Sequence, residues 1–151
     1  SRKFGLFGHG FTYSGHPVSC AAALANMDVF ESEGLLENAR ELGPYLQEQL
    51  QTLSDLPIVG DIRGQGLMGC LECVASQESR QPLALDYEVG SRIDAHCQAL
   101  GLLVRPLINM CVMSPPLCIT REQIDDLTRI LREGIVRTMA DLQKEGIASF
   151  G

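Results

Sequence analysis

The sequence predicts a two-layer α+β fold: a small, mostly antiparallel sheet with helices on one face. Three observations carry that expectation. From residue 35 onward, apolar residues recur at helical spacing in several segments. Between those segments lie short apolar runs broken by glycine and proline, which suit short strands. The order is helix, strands, helix, strands, helix, which pairs a sheet with a helical layer.

The first element lies ahead of that pattern. Pro17 suits the first position of a helix, and the run from Val18 to Phe30 continues it. Cys20-Ala21-Ala22-Ala23 gives this helix a small-residue face for close packing, and Glu33-Gly34 punctuates it. Residues 1 to 33 therefore read as an appendage that belongs with another body. A second helix is expected from about Leu35 to Leu53, with Leu36, Ala39, Leu42, Leu46 and Leu50 in one stripe. Pro44 kinks it or marks a break.

The period then changes. Ile58 to Val74 contains two apolar runs around Gly60, Gly64, Gly66 and Gly69, read as two strands joined by a tight connection or bulge at Gly64-Gln65-Gly66. Residues 75 to 87 are polar and read as a surface loop. A third helix spans about Tyr87 to Leu100 and stops at Gly101. Leu102–Arg105 and Ile108–Ser114 read as two more strands, broken by Pro106 and stopped by Pro115-Pro116. The last helix opens on a capping box, Thr120-Arg121-Glu122-Gln123. Ile124, Leu127, Leu131, Ile135 and Leu142 form its buried stripe. No repeat and no low-complexity segment interrupts the order.

With 151 residues and a 45% apolar composition, the chain can bury a real core. Its net charge of -7, from 12 basic and 19 acidic residues, argues against nucleic acid or an anionic membrane surface as the main partner. No stretch approaches the roughly 20 apolar residues of a membrane span. The opening Ser1-Arg2-Lys3-Phe4-Gly5 does not read as a signal peptide, because no apolar stretch follows its charges. The missing initial methionine fits a processed, tagged or truncated chain, and a cytoplasmic location is expected.

Six cysteines, Cys20, Cys70, Cys73, Cys97, Cys111 and Cys118, sit within apolar periodic segments and are read as reduced core residues. Cys70-Leu71-Glu72-Cys73 is formally a CxxC. A redox role needs a turn or helix start, and a zinc site needs a second ligand pair. Neither is present around this strand-like run.

Two places invite chemistry. In His9-Gly10-Phe11-Thr12-Tyr13-Ser14-Gly15-His16-Pro17, hydroxyls crowd against a helix start, where backbone N–H groups attract an anion such as phosphate. An ordinary N-cap loop is the plainer alternative. His9 and His16 are candidate bases, but no carboxylate is placed to orient either one. The second place is Arg105, at the end of Leu102-Leu103-Val104. Such an arginine finds an anion, an internal salt bridge or solvent, and its guanidinium suits a carboxylate. Gly64-Gln65-Gly66-Leu67-Met68-Gly69 is a bare GxGxxG joining strands rather than opening a helix, so it does not read as a dinucleotide site. No metal-spaced cluster is evident. The two lysines, Lys3 and Lys144, sit near the N-terminus and on a polar helix end, so neither suits covalent amine chemistry.

Taken together, the motifs resemble a family. Phe7 to Leu24, with its His-Gly-Phe-Thr-Tyr-Ser-Gly-His-Pro core, is similar to the C-terminal part of class III aminotransferases, the fold-type I enzymes dependent on pyridoxal phosphate. Gly60-Asp61-Ile62-Arg63-Gly64-Gln65-Gly66-Leu67-Met68 resembles the family's small-domain strand pair. Leu102 to Leu107, then Ser114-Pro115-Pro116-Leu117 and Ile119-Thr120, resemble its C-terminal signature. The likeness spans nearly the whole chain in order, and is greatest to the ω-amino acid or amine:pyruvate branch.

The resemblance implies that residues 1–33 are the end of the large cofactor-binding domain and 34–151 the small domain. It implies that Thr12, helped by the backbone of Phe11, binds the phosphate of pyridoxal 5'-phosphate in the neighbouring subunit of a homodimer or higher homo-oligomer. It gives Arg105 the substrate carboxylate, with a swing away for an apolar amine or ω-amino group. The partners implied are an amine or amino acid and a 2-oxo acid. The family's Schiff-base lysine, the aspartate on the pyridine nitrogen and the aromatic that stacks on the ring are not among these residues. The chain is therefore expected to be the C-terminal third of an aminotransferase, inactive alone. A standalone α+β binding module that keeps the ancestral sequence is the other reading. The Ala-rich helix from Pro17, not solubilised as a free surface would be, favours a fragment.

Overall fold

The computed structural model describes residues 3, 5, 8–84 and 87–150. The remaining residues of the expected N-terminal strip (including Phe7 of its motif), residues 85 and 86 of the expected polar loop, and residue 151 of the expected small domain lie outside the described residues. The chain divides into two compact units, Ser1–Leu35 and Leu36–Gly151.

From residue 8 on, the first unit is a turn and a helix. Helix α1 (Pro17–Ser32) carries proline at its start and runs two residues past the expected end. It stops where Gly34 takes φ +62°, with Glu33 N–H on Val29 O at 3.0 Å. None of its residues is buried.

The second unit takes in all but the first residue of α2 (Leu35–Gln51), which passes into a short 3-10 turn, Thr52–Asp55. Leu42, Leu46 and Leu50 of the expected stripe are buried, and Ala39 is half-buried. Leu36 is exposed, because the helix's first turn lies outside the core cluster. Pro44 neither breaks nor ends α2; it stands on the exposed side of a continuous helix.

Strands β1 (Val59–Gln65) and β2 (Met68–Ser76) form an antiparallel hairpin. Gly66 at the first turn position has φ +57°, which glycine adopts without steric cost. The hairpin is pressed against α2. A Cβ on Gly43 would stand 2.7 Å from Gly66 Cα. Gln47 Nε2 donates to Gly66 O at 2.8 Å and to Met68 O at 2.9 Å. The glycines of the GxGxxG string thus serve backbone packing.

The described part of the polar stretch, residues 75–84 and 87, is more ordered than expected. It contains a two-residue strand, β3 (Gln81–Pro82), paired with β2, and the next residue, Leu83, enters the core. Helix α3 (Val89–Ala99) ends as expected: Gly101 takes φ +90°, its N–H meets Gln98 O at 3.0 Å, and Leu102 N–H meets Cys97 O at 2.9 Å.

The next strand is displaced from its expected place. Leu102–Val104 is not extended in the sheet. Strand β4 is Arg105–Leu107, with Pro106 inside it, and pairs with β5 (Met110–Met113). The sheet order β1-β2-β5-β4 leaves β4 at an edge, where proline's missing N–H is tolerated. Helix α4 (Arg121–Lys144) opens on the expected capping box: Gln123 N–H donates to Thr120 Oγ1 at 3.3 Å and Thr120 N–H to Gln123 Oε1 at 2.9 Å.

All described strand pairs are antiparallel. Alternation along the strands makes the sheet two-faced. Gly69, Leu71, Cys73, Cys111 and Met113 are buried. Leu71, Cys73, Cys111 and Met113 share one core cluster with Leu46 and Leu50 of α2, Ile93 of α3, and Ile124, Leu131 and Ile135 of α4. The opposite face carries Cys70, Glu72, Met110 and Val112, all half-exposed.

Alanine is the better helix former by about 1 kcal/mol, so Gly43→Ala would stabilise a free helix. Against the Gly66 backbone it is expected to destabilise the protein by about 1–3 kcal/mol, read as a lower urea midpoint. A midpoint at or above the parent's would contradict the contact.

Candidate functional site

The opening loop is a tight turn ahead of α1. Ser14 N–H donates to Phe11 O at 2.9 Å, and His16 N–H to Tyr13 O at 3.1 Å. Phe11 N–H donates to Ser14 Oγ at 2.8 Å. The backbone donor of Phe11 is thus held by Ser14 Oγ, which accepts this bond. The Thr12 hydroxyl is exposed and makes no hydrogen bond among the described residues. No side chain caps α1, whose N-cap is His16, and Pro17 has no N–H to offer. The rings of His9 and Phe11 meet edge to face at 5.1 Å, and those of Tyr13 and His16 at 5.8 Å.

In the second unit, Arg105 opens the edge strand and is exposed. It pairs across the ladder with Val112, which pairs with Cys70, which pairs with Arg63. These four residues form one row on the open face of the sheet. The row's two arginines differ completely. Arg63 donates to Asp61 at 2.6 Å and Glu72 at 2.7 Å. Hydrogen bonds to Asp61, then to Glu72, raise its pKa above the ordinary arginine value. Arg105 has no hydrogen bond or ion pair among the described residues.

That contrast extends further. Arg40, Arg92, Arg129, Arg132 and Arg137 each hold a carboxylate, and Arg121 lies 3.8 Å over the Tyr45 ring. Of the described arginines only Arg80, in the turn after β2, shares the condition of Arg105. The Asp61–Arg63–Glu72 cluster was missed in the sequence. The spacing of Asp61 and Arg63, two apart on one strand, was the available signal.

A cavity without Arg105 lies elsewhere in the second unit. It is an open groove of about 540 Å³ lined by Leu102, Leu103, Pro115, Ile119 and Leu127. Nothing in it is a charged ligand for a substrate except Asp126 at its rim.

The family profile described as Aminotransferase class-III matches residues 1–135. The chain belongs to the class III aminotransferases. It is 39% identical over 138 residues to gamma aminobutyrate transaminase 1, mitochondrial, of Solanum lycopersicum, covering 91% of this chain and 27% of that protein. It is 42% identical over 133 residues to the adenosylmethionine-8-amino-7-oxononanoate aminotransferase of Nitratidesulfovibrio vulgaris, covering 88% of this chain and 24% of that one. The crystal structure of a PMP-bound aminotransferase from Vibrio fluvialis superposes with a TM-score of 0.83 at 39% identity, covering 93% of this chain and 31% of that one. The chain thus spans about a third or less of the length of these class III relatives.

Cys73, Cys97 and Cys111 are buried and unpaired. Burial raises all three thiols, Cys73 to about 12 and Cys97 to about 11. Cys70 lies on the open face and Cys73 in the core, so the CxxC sulfurs do not face one another. Cys20 and Cys118, expected in the core, are exposed. Cys20 stands on a helix with no buried residue, and Cys118 in the turn before α4. The described residues contain no group able to hold a metal ion, and no helix long and apolar enough to cross a membrane. At pH 8 an aromatic disulfide reagent is expected to label Cys118 and spare Cys73, Cys97 and Cys111 until the protein is denatured. Rapid labelling of Cys73 in the native protein would contradict that core.

Proposed function

We propose that this chain is the C-terminal part of a pyridoxal-phosphate-dependent aminotransferase. The whole protein moves an amino group from an ω-amino acid, diamine or amine to pyruvate or another 2-oxo acid. It does so as a homodimer or higher homo-oligomer, in the cytoplasm. Residues 1–33 finish the large domain, and 34–151 form the small domain. The observation that carries the reading is the guanidinium of Arg105, exposed on the open sheet face with no partner of its own. The names of the tomato and Vibrio relatives support the same chemistry.

The residues present fit one end of the cofactor. The unengaged Thr12 hydroxyl beside the uncapped start of α1 suits a phosphate, through one O–H donor and the helix's positive end. Phe11 shapes the turn, its N–H being held by Ser14. The ring end has no ligand here, because Lys3 and Lys144 are both exposed. When bound, pyridoxal phosphate supplies the conjugated ring that accepts electron density and carries the amino group.

The rest of the work of this chain is binding and orientation. Thr12 would hold a phosphate oxygen of the cofactor in the neighbouring subunit through its O–H. Arg105 grips a substrate carboxylate with two parallel N–H donors, which fixes the position of the adjacent carbon. For a substrate with an apolar group in that place, the long side chain withdraws to solvent at the sheet edge. The chain alone is inactive for want of a buried lysine.

In the full-length protein, Arg105→Ala is expected to raise KM for pyruvate at least about tenfold, the worth of a lost charge-assisted pair. The half-reaction of an apolar amine donor, followed as a single turnover without keto acid, should change little. Unchanged pyruvate kinetics would refute the carboxylate role. Thr12→Ala is expected to speed cofactor loss on dialysis, followed by absorbance; equal retention would refute the phosphate role. A native mass near 16.5 kDa would instead favour a standalone module.

A further inference from the structure

The β4–β5 turn is held by hydrogen bonds from three sides, and it closes the strand that Arg105 opens. Ile108 takes φ +56°. A β-branched residue rarely adopts the left-handed region, and it does so only where the surroundings over-determine the backbone. Packing of its own side chain does not force it, since Ile108 is 51% exposed. The forcing comes from three hydrogen bonds. Gly90 N–H, in the first turn of α3, donates to Ile108 O at 2.9 Å. Cys73 N–H, in β2, donates to Asn109 O at 2.8 Å. Asn109 Nδ2 donates to Leu83 O, just after β3, at 2.8 Å.

Gly90 adds a steric lock. A Cβ there would stand 2.6 Å from Met110 O and 2.8 Å from Ile108 O. Asn109 is 8% exposed, and its Oδ1 is buried without a hydrogen bond among the described residues. Two unfavourable features, a left-handed isoleucine and an unsatisfied buried oxygen, therefore sit at one turn. Neither contributes stability. Both are the consequence of holding the turn fixed against α3, β2 and Leu83. That turn ends a strand of only three residues, and the strand's first residue is Arg105.

We propose that Asn109 is a positioning residue that sets the pose of the carboxylate-binding Arg105, through the pinned turn at Ile108. The proposal rests on the carboxylate role of Arg105 given above. Asn109 does not touch substrate. It fixes the edge strand, so that the otherwise unrestrained guanidinium starts from one backbone position.

The test uses the full-length, cofactor-loaded protein with propionate, a carboxylate that cannot react. Its Kd is measured by calorimetry for the parent, Arg105→Ala, Asn109→Ala and the double variant. Asn109→Ser, which is too short to reach Leu83 O, replaces Asn109→Ala if the latter does not fold. The expected result is a Kd raised about three- to tenfold by the Asn109 change, with the rate of the benzylamine half-reaction, followed as a single turnover without keto acid, within twofold of the parent. In the Arg105→Ala background the same change should leave the residual Kd unaltered. Hydrogen exchange at the Gly90 and Cys73 amides should quicken.

An Asn109 variant with parental Kd would overturn the positioning role and leave the Arg105 reading intact. So would an effect undiminished in the Arg105→Ala background, or an equal loss in the benzylamine half-reaction, since each marks a general structural role. A parental Kd in Arg105→Ala would overturn both.

Discussion

The register of β2 against β5 decides what every other part of the second unit can do. Leu71 lies opposite Cys111, and Gly69 opposite Met113. That pairing sends one set of alternate side chains to the helices and the other to the open face. A slip of one residue would turn Glu72 toward the core and Leu71 outward, at a cost no small core could bear. Because β4 is tied to β5 by a two-residue turn, the same register puts Arg105 on the open face. The core and the candidate carboxylate ligand are two results of one alignment.

Charge on that open face is sorted by commitment. Asp61, Arg63 and Glu72 form a closed ionic group at the β1–β2 side of the sheet. It is about half exposed, so its worth to stability is modest. Its effect on function is one of exclusion: Arg63 is spoken for. At the other edge Arg105 has no such partner. An arginine that is held is a structural part, and one left unengaged on a rigid edge can hold something else. The opening loop has a similar division of labour. Ser14 closes the turn on Phe11, and Thr12 is left with an unengaged hydroxyl beside an uncapped helix.

Much of the fold is legible in the sequence. The stripes of α2 and α4 follow a local period, and the capping box at Thr120 and the stop at Gly101 are local signals, so they needed no tertiary knowledge. The failures are non-local. Pro106 reads as a strand breaker unless β4 is known to be an edge, which depends on its pairing with β5. Pro44 reads as a break unless the exposed side of α2 is known. Leu83 enters the core and Cys118 leaves it because of packing that no spacing announces. At the site, the hydroxyl-rich turn and Arg105 stand out by type and context, and Thr12 within that turn by the family resemblance, but their lack of internal partners belongs to the three-dimensional arrangement. Asn109 and the left-handed Ile108 carried no sequence signal at all.

The central claim is that Arg105 is left unpaired by the protein so that it can pair with a carboxylate ligand. A crystal structure of the full-length protein with a bound non-reacting carboxylate tests this most directly. The account predicts the Arg105 guanidinium in two parallel hydrogen bonds to the ligand, at about 2.7–2.9 Å. An Arg105 held by a carboxylate of the protein itself, with the ligand bound elsewhere, would contradict it.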